Sequence, residues 1–141
     1  MTAYADTSFF VSVYLSDAHS TAAERLLSSG ERVWFTPLHF AEFCHAVAQQ
    51  VFYKNITLGQ AQNAYDEMED DRALRLWVDL SVPEEAFASC AQLARRHGAK
   101  LGVRTLDSLH VACALELKAE RFWTFDERQA KLAKAEGLKT S

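Results

Sequence analysis

Short runs rich in β-branched and aromatic residues alternate with longer stretches of helical character along this chain, and the alternation restricts the folds open to it. The extended runs are the segment ending at Tyr4-Ala5, Arg32-Val33-Trp34-Phe35-Thr36, Leu74 to Leu80, Arg121-Phe122-Trp123-Thr124-Phe125 and an edge candidate, Leu138-Lys139-Thr140. Between them lie an apolar helix from Phe9 to Leu15 and a second helix on Ala22, Ala23, Leu26 and Leu27 that stops at Gly30. Thr36-Pro37 opens a long helix to about Phe52, and a capping box from Thr57 to Gln60 opens a polar one reaching about Asp70. After Pro83 the stripe Ala86, Phe87, Cys90, Leu93 and Ala94 predicts a helix closed by Gly98. Thr105 caps another, with Leu106, Leu109, Cys113 and Leu117 facing inward, and Gln129 to Glu136 makes the last. Strands separated by helices predict an α/β fold with a mainly parallel central sheet of four to five strands and helices on both faces.

At 141 residues, 49% of them hydrophobic, the chain suits a single domain over residues 1–141 with a sizeable core. No apolar run is long enough to span a bilayer, and the start lacks a basic-then-apolar leader, so a soluble cytoplasmic protein with no membrane contact is expected. Cys44, Cys90 and Cys113 are far apart and form no C-x-x-C pair; they read as buried reduced thiols and predict neither a disulfide framework nor a zinc site. The net charge of -4 argues against broad wrapping of phosphate backbones, which favours basic surfaces.

In a parallel sheet the carboxyl ends of the strands lie along one edge, where ligands bind. Asp6 and Asp126 each follow an extended run and Asp107 sits in the first turn of a helix, so all three point to that edge. Glu42 joins them if the Pro37 helix starts there. Each acid has an ordinary reading as well: Asp6 and Asp126 as helix caps, Asp107 as a first-turn acid, Glu42 as a residue at an interface edge. Four carboxylates gathered without basic partners repel one another, and a hard divalent cation relieves the repulsion. Oxygen-only ligands select Mg2+ or Mn2+ over zinc.

Other chemistries fit less well. His39, Glu42 and His45 form an H-x-x-E-x-x-H run, but a di-iron bundle needs a second Glu-x-x-His copy, and the zincin H-E-x-x-H is absent. His39 and His45 read as structural imidazoles, and His110 as a packing and hydrogen-bonding residue of its helix. No G-x-S-x-G elbow exists, the corner after the first strand is Asp-Thr-Ser and not a glycine-rich turn, and Ser8 stands where an aspartyl-phosphate enzyme carries a second Asp.

The segments Tyr-Ala-Asp6-Thr-Ser-Phe, Pro37-Leu38-His39-Phe40-Ala41-Glu42-Phe43, Arg104-Thr105-Leu106-Asp107-Ser108-Leu109-His110 and Phe122-Trp123-Thr124-Phe125-Asp126-Glu127-Arg128 resemble, in order, the four acidic motifs of PIN-domain ribonucleases, above all VapC-type toxins of toxin–antitoxin systems. The resemblance implies a Mg2+- or Mn2+-dependent ribonuclease in which Asp6, Glu42, Asp107 and Asp126 form the acidic site, Asp126 acting through water or by orienting another ligand. It implies accessory hydroxyls at Ser8 and Thr124, an RNA substrate, a cognate antitoxin and a homodimer. Arg95, Arg96, Lys100 and Arg104 make the basic cluster nearest an acid of the set, suited to phosphate or to complementing a helix end. Phe52 and Tyr53 are candidates for stacking on bases or for a dimer or antitoxin interface. The competing expectation is a non-catalytic PIN-like protein- or RNA-binding module whose acids only cap helices.

Overall fold

Four parallel strands in the order β3-β2-β1-β4 form the centre of the computed structural model, which describes residues 2–140. They are β1 (Thr2–Ala5), β2 (Arg32–Phe35), β3 (Val78–Asp79) and β4 (Arg121–Trp123). Ala3 stands opposite Val33 on one side and Arg121 on the other. The helices are α1 (Thr7–Tyr14), α2 (Ser20–Leu27), α3 (Pro37–Phe52), α4 (Leu58–Ala73), α5 (Glu85–Leu93), the short α6 (Ala99–Leu101), α7 (Thr105–Glu116) and α8 (Glu127–Ala135).

Alternation along the strands divides the interior in two. Ala3, Ala5, Val33, Phe35 and Trp123 pack with Phe9, Phe10, Phe43, Val47 and Met68 from α1, α3 and α4. Tyr4 and Phe122 point the other way, onto Cys90, Leu93, Val111, Cys113 and Leu132 from α5, α7 and α8. β1 and β4 are therefore buried on both faces, the usual condition of a parallel sheet, whereas Asp79 of the edge strand β3 is exposed.

The expected α/β sheet is present, with local departures. The run Leu74–Leu80 yields only a two-residue strand: Leu74 caps α4, Arg75 takes the left-handed conformation (φ 59°), and Leu74 and Leu76 are exposed. The last strand stops at Trp123, because Thr124 and Phe125 turn toward α8. Leu138-Lys139-Thr140 supplies one parallel bridge, Arg121 to Lys139, and no full edge strand. Gly98 does not close α5. A π-helical turn over Ala94–Gly98 carries the chain into α6, and the stop comes at Gly102, whose φ of 66° is the left-handed region that glycine enters at least cost. Arg104, not Thr105, occupies the cap position of α7, without a side-chain hydrogen bond, and Leu106 is exposed rather than inward. All three cysteines are free; Cys90 and Cys113 are buried as expected, but Cys44 is only half-buried. No helix among the described residues is long and apolar enough to cross a membrane.

Candidate acidic active site

β1 ends at Ala5 and α1 starts at Thr7, so Asp6 occupies the corner between them at the carboxyl edge of the sheet. Its backbone N–H donates to the Trp123 carbonyl at 3.0 Å, which fixes the corner against β4. The side chain is buried, and its two oxygens do different work. Oδ1 caps α1 by accepting from Phe9 N–H at 3.3 Å and also accepts from the Ser8 hydroxyl at 2.6 Å. Oδ2 lies 3.0 Å from the Thr124 hydroxyl.

Thr124 belongs to a second cluster. Its Oγ1 accepts from Asp126 N–H at 3.0 Å and lies 2.7 Å from Gln129 Oε1. Gln129 is fully buried and spends its amide Nε2 on the Asp107 carbonyl at 3.1 Å, so it presents an acceptor to Thr124. One hydroxyl proton thus faces two acceptors, Asp6 Oδ2 and Gln129 Oε1. Burial pushes the Asp6 carboxyl above its ordinary value, against the pull of Ser8, His110, Thr124 and Phe9 N–H.

Glu42 reaches the same edge because α3 starts directly after β2. Thr36 caps that helix, and His39 completes the box: its Nδ1 accepts from Thr36 N–H at 3.0 Å and its Nε2 donates to the Ala5 carbonyl at 2.7 Å. Burial, with His110 nearby, holds the His39 ring well below the usual histidine range, so it is neutral and its role is to tie α3 to the end of β1. His45 is exposed. The Glu42 carboxylate accepts from Thr7 Oγ1 at 2.9 Å and contacts His110 Nε2 closely. Burial alone would raise Glu42, but His110 and Thr7 outweigh it and keep the group below its ordinary value. Behind His110, the Tyr4 hydroxyl lies 2.8 Å from Nδ1. An N–H at Nε2 facing the carboxylate leaves Nδ1 to accept from the Tyr4 hydroxyl.

Asp6, Glu42 and Asp107 line one cleft of about 320 Å³ together with Ser8 and His110. Asp126 does not line it: its carboxylate caps α8 through Gln129 N–H at 2.8 Å, and its link to the cleft runs through Thr124. The expectation of acids without basic partners needs correction, since Arg104 Nε lies 3.6 Å from Asp107 Oδ2 and His110 meets Glu42. Among the described residues no three acids, histidines or cysteines stand close enough together to form a ready-made metal site. The donors nevertheless suit a hard cation in kind, being carboxylate and hydroxyl oxygens open to a cleft.

The basic cluster is divided. Arg104, 87% exposed, stands at the rim beside Asp107. Arg96 pairs with Glu136 at 2.7 Å and His97 joins it at 2.8 Å, at the far end of α8 from Asp126, roughly 15 Å along the helix axis. Arg95 and Lys100 are exposed on the π-turn and α6. Thr7 and Gln129 carry no signal in the sequence, whereas His110, expected as a packing and hydrogen-bonding residue, does hydrogen-bond, and its partner is the site acid Glu42. The spacing did carry a signal for His110, which follows Asp107 by three residues and so shares its helix face.

A family model for the PIN domain matches residues 3–135. Among solved structures, FitAcB from Neisseria gonorrhoeae superposes with a TM-score of 0.69 at 19% identity, covering 98% of this chain and 95% of that one. VapC20 of Mycobacterium tuberculosis, described as a sarcin–ricin-loop-cleaving toxin, gives 0.68 at 17% identity, with 96% and 95% covered. VapBC2 from Rickettsia felis, bound to a DNA fragment from its promoter, gives 0.67 at 15% identity, with 100% and 98% covered. At these identities the likeness is one of fold. No curated protein matches the sequence significantly.

Proposed function

This chain belongs to the PIN-domain family, and from that premise we propose that it is a Mg2+- or Mn2+-dependent endoribonuclease of the VapC toxin type. The observation that carries the reading is the shared cleft of Asp6, Glu42 and Asp107 at the carboxyl edge of a parallel sheet. In this reading those three acids hold the cation, and Asp126 supports them from outside the cleft through Thr124. When bound, the cation supplies charge neutralisation of the scissile phosphate and a more acidic attacking water. The chain's own contribution is to hold the acids still. Ser8 and Thr124 orient Asp6, while Thr7 and His110 orient Glu42 and keep it ionised. Arg104 at the rim is the basic residue best situated to meet an incoming phosphate; Arg95, Arg96 and Lys100 lie further along the surface.

RNA, a cognate antitoxin and a homodimer are proposed on the family resemblance. The exposed Phe52 and Tyr53 at the end of α3 are candidates for one of the protein interfaces.

A second reading is favoured by one observation: Asp6 and Asp126 are both satisfied as helix caps, so the acids of a non-catalytic binding module would look the same. Calorimetric titration separates the two. The nuclease reading predicts saturable Mn2+ binding to the full chain that Asp6→Asn weakens at least about tenfold, as expected for loss of a ligand that itself contacts the ion. Absence of any Mn2+ heat in the parent chain favours the module.

A further inference from the structure

His19 lines the same cleft as the three acids but takes no part in the network that holds them. Its backbone is well tethered: His19 N–H donates to Asp17 Oδ1 at 2.8 Å, and Asp17 Oδ2 accepts from Ser12 at 2.9 Å. The Ser20 hydroxyl reaches the Ser12 and Leu15 carbonyls at 2.8 and 2.9 Å, which ties the turn between α1 and α2 to the end of α1. The imidazole itself is exposed and makes no capping hydrogen bond to α2. It lies flat on Phe125, with ring centroids 4.6 Å apart and planes within 5° of parallel. Phe125 comes from the segment that follows β4, one residue beyond Thr124, whose hydroxyl meets Asp6.

Two segments far apart in sequence thus build a two-layer aromatic step, whose upper ring, His19, lines the cleft that holds Asp6, Glu42 and Asp107. Covering Phe125 would be served by any apolar side chain. A planar, polar-edged ring, exposed over such a partner and fixed by its backbone, offers in addition what a nucleobase stacks on. The interaction suits an acidic protein, because stacking attracts a nucleic acid without needing a basic surface.

We propose that the His19–Phe125 pair is a stacking platform for one unpaired nucleobase, whose neighbouring phosphate lies at the acids. The proposal rests on the reading of the cleft as a nuclease site and adds the residue pair that seats a base beside it; a base within a duplex already has both faces covered and cannot use it.

The test is fluorescence anisotropy with a short single-stranded oligoribonucleotide in Mg2+, in an Asp6→Asn background so that cleavage does not intervene. Replacing His19 with Ala weakens binding about 5- to 150-fold, the range expected for one base–aromatic stack, and His19→Tyr keeps affinity within about twofold. On a strand of the same length carrying abasic sugars, His19→Ala makes no difference. Thermal melts matching the parent establish that each variant is folded. Unchanged affinity in His19→Ala, an equal loss on the abasic strand, or no saturable binding by the Asp6→Asn chain overturns the platform. The nuclease reading fails separately: a wild-type chain that does not cleave, while its Asp6→Asn form still binds RNA through His19, contradicts that reading and leaves the platform standing. Cleavage with His19-independent binding does the reverse.

Discussion

Asp6 combines both roles that its position suggests, since one carboxylate oxygen caps α1 and the other faces Thr124 at the cleft. Its raised pKa carries a stability consequence. The folded chain holds this proton more tightly than the unfolded chain does, so ionisation costs stability progressively as pH rises from near 3.8, and the cost is complete above the folded value. Asn keeps the capping acceptor and supplies an N–H to Thr124 Oγ1, which frees the hydroxyl proton for Gln129. Asp6→Asn without metal should therefore melt at the same temperature as wild type or higher at pH 7, with any gain vanishing in acid. Melting curves across pH check this. Glu136 has the opposite sign. Arg96 and His97 hold its carboxyl below the ordinary 4.5 despite partial burial, so its stabilisation is present above that value and lost as pH falls through the lower folded one. Glu136→Gln should cost a few tenths to about 1 kcal/mol at pH 7 by urea unfolding, and the difference should close in acid. At this scale the sequence was legible where an acid follows a strand or opens a helix, as with Asp6 and Asp107. Gln129 was not legible, because its importance comes from a buried amide that meets Asp107 and Thr124 only after α7 and α8 have packed.

Among the elements, α3 matches its expected limits because Thr36, Pro37 and His39 all favour a start there, and Thr57 and Gln60 do the same for α4. Helix ends were harder to read. Lys54, Arg75 and Lys118 adopt φ near 60° beyond α3, α4 and α7, where glycine is the usual residue, so no glycine marks these stops. Each carries a left-handed penalty that glycine would relieve, less the greater unfolded-state entropy of glycine. Lys118→Gly should accordingly stabilise the chain by about 0.5–1 kcal/mol, measured by urea unfolding. A neutral or negative effect would mean that the lysine makes a compensating contact. The overlong strand expected at Leu74–Leu80 has the same origin: alternating apolar letters resemble a strand, but Arg75 bends the chain before pairing begins at Val78.

For the molecule as a whole, the order β3-β2-β1-β4 places β1 in the sheet interior, with later strands added on both sides, and the corner that follows it carries Asp6. This is the kind of position at which ligands settle in parallel α/β sheets. Alternating strands and helices made that edge predictable, whereas the closure of the site depends on contacts across more than a hundred residues, such as Tyr4 with His110 and Asp6 with Thr124. A chain of net charge -4 has little long-range attraction for RNA, so catalysis in this account depends on the cation at the acids. The direct measurement is cleavage of single-stranded RNA by the purified chain with Mn2+, with EDTA, and with Asp6→Asn. The account predicts cleavage that requires the metal, stops in EDTA and falls at least about 100-fold in the variant. Full activity of Asp6→Asn, or undiminished cleavage in EDTA, would contradict it.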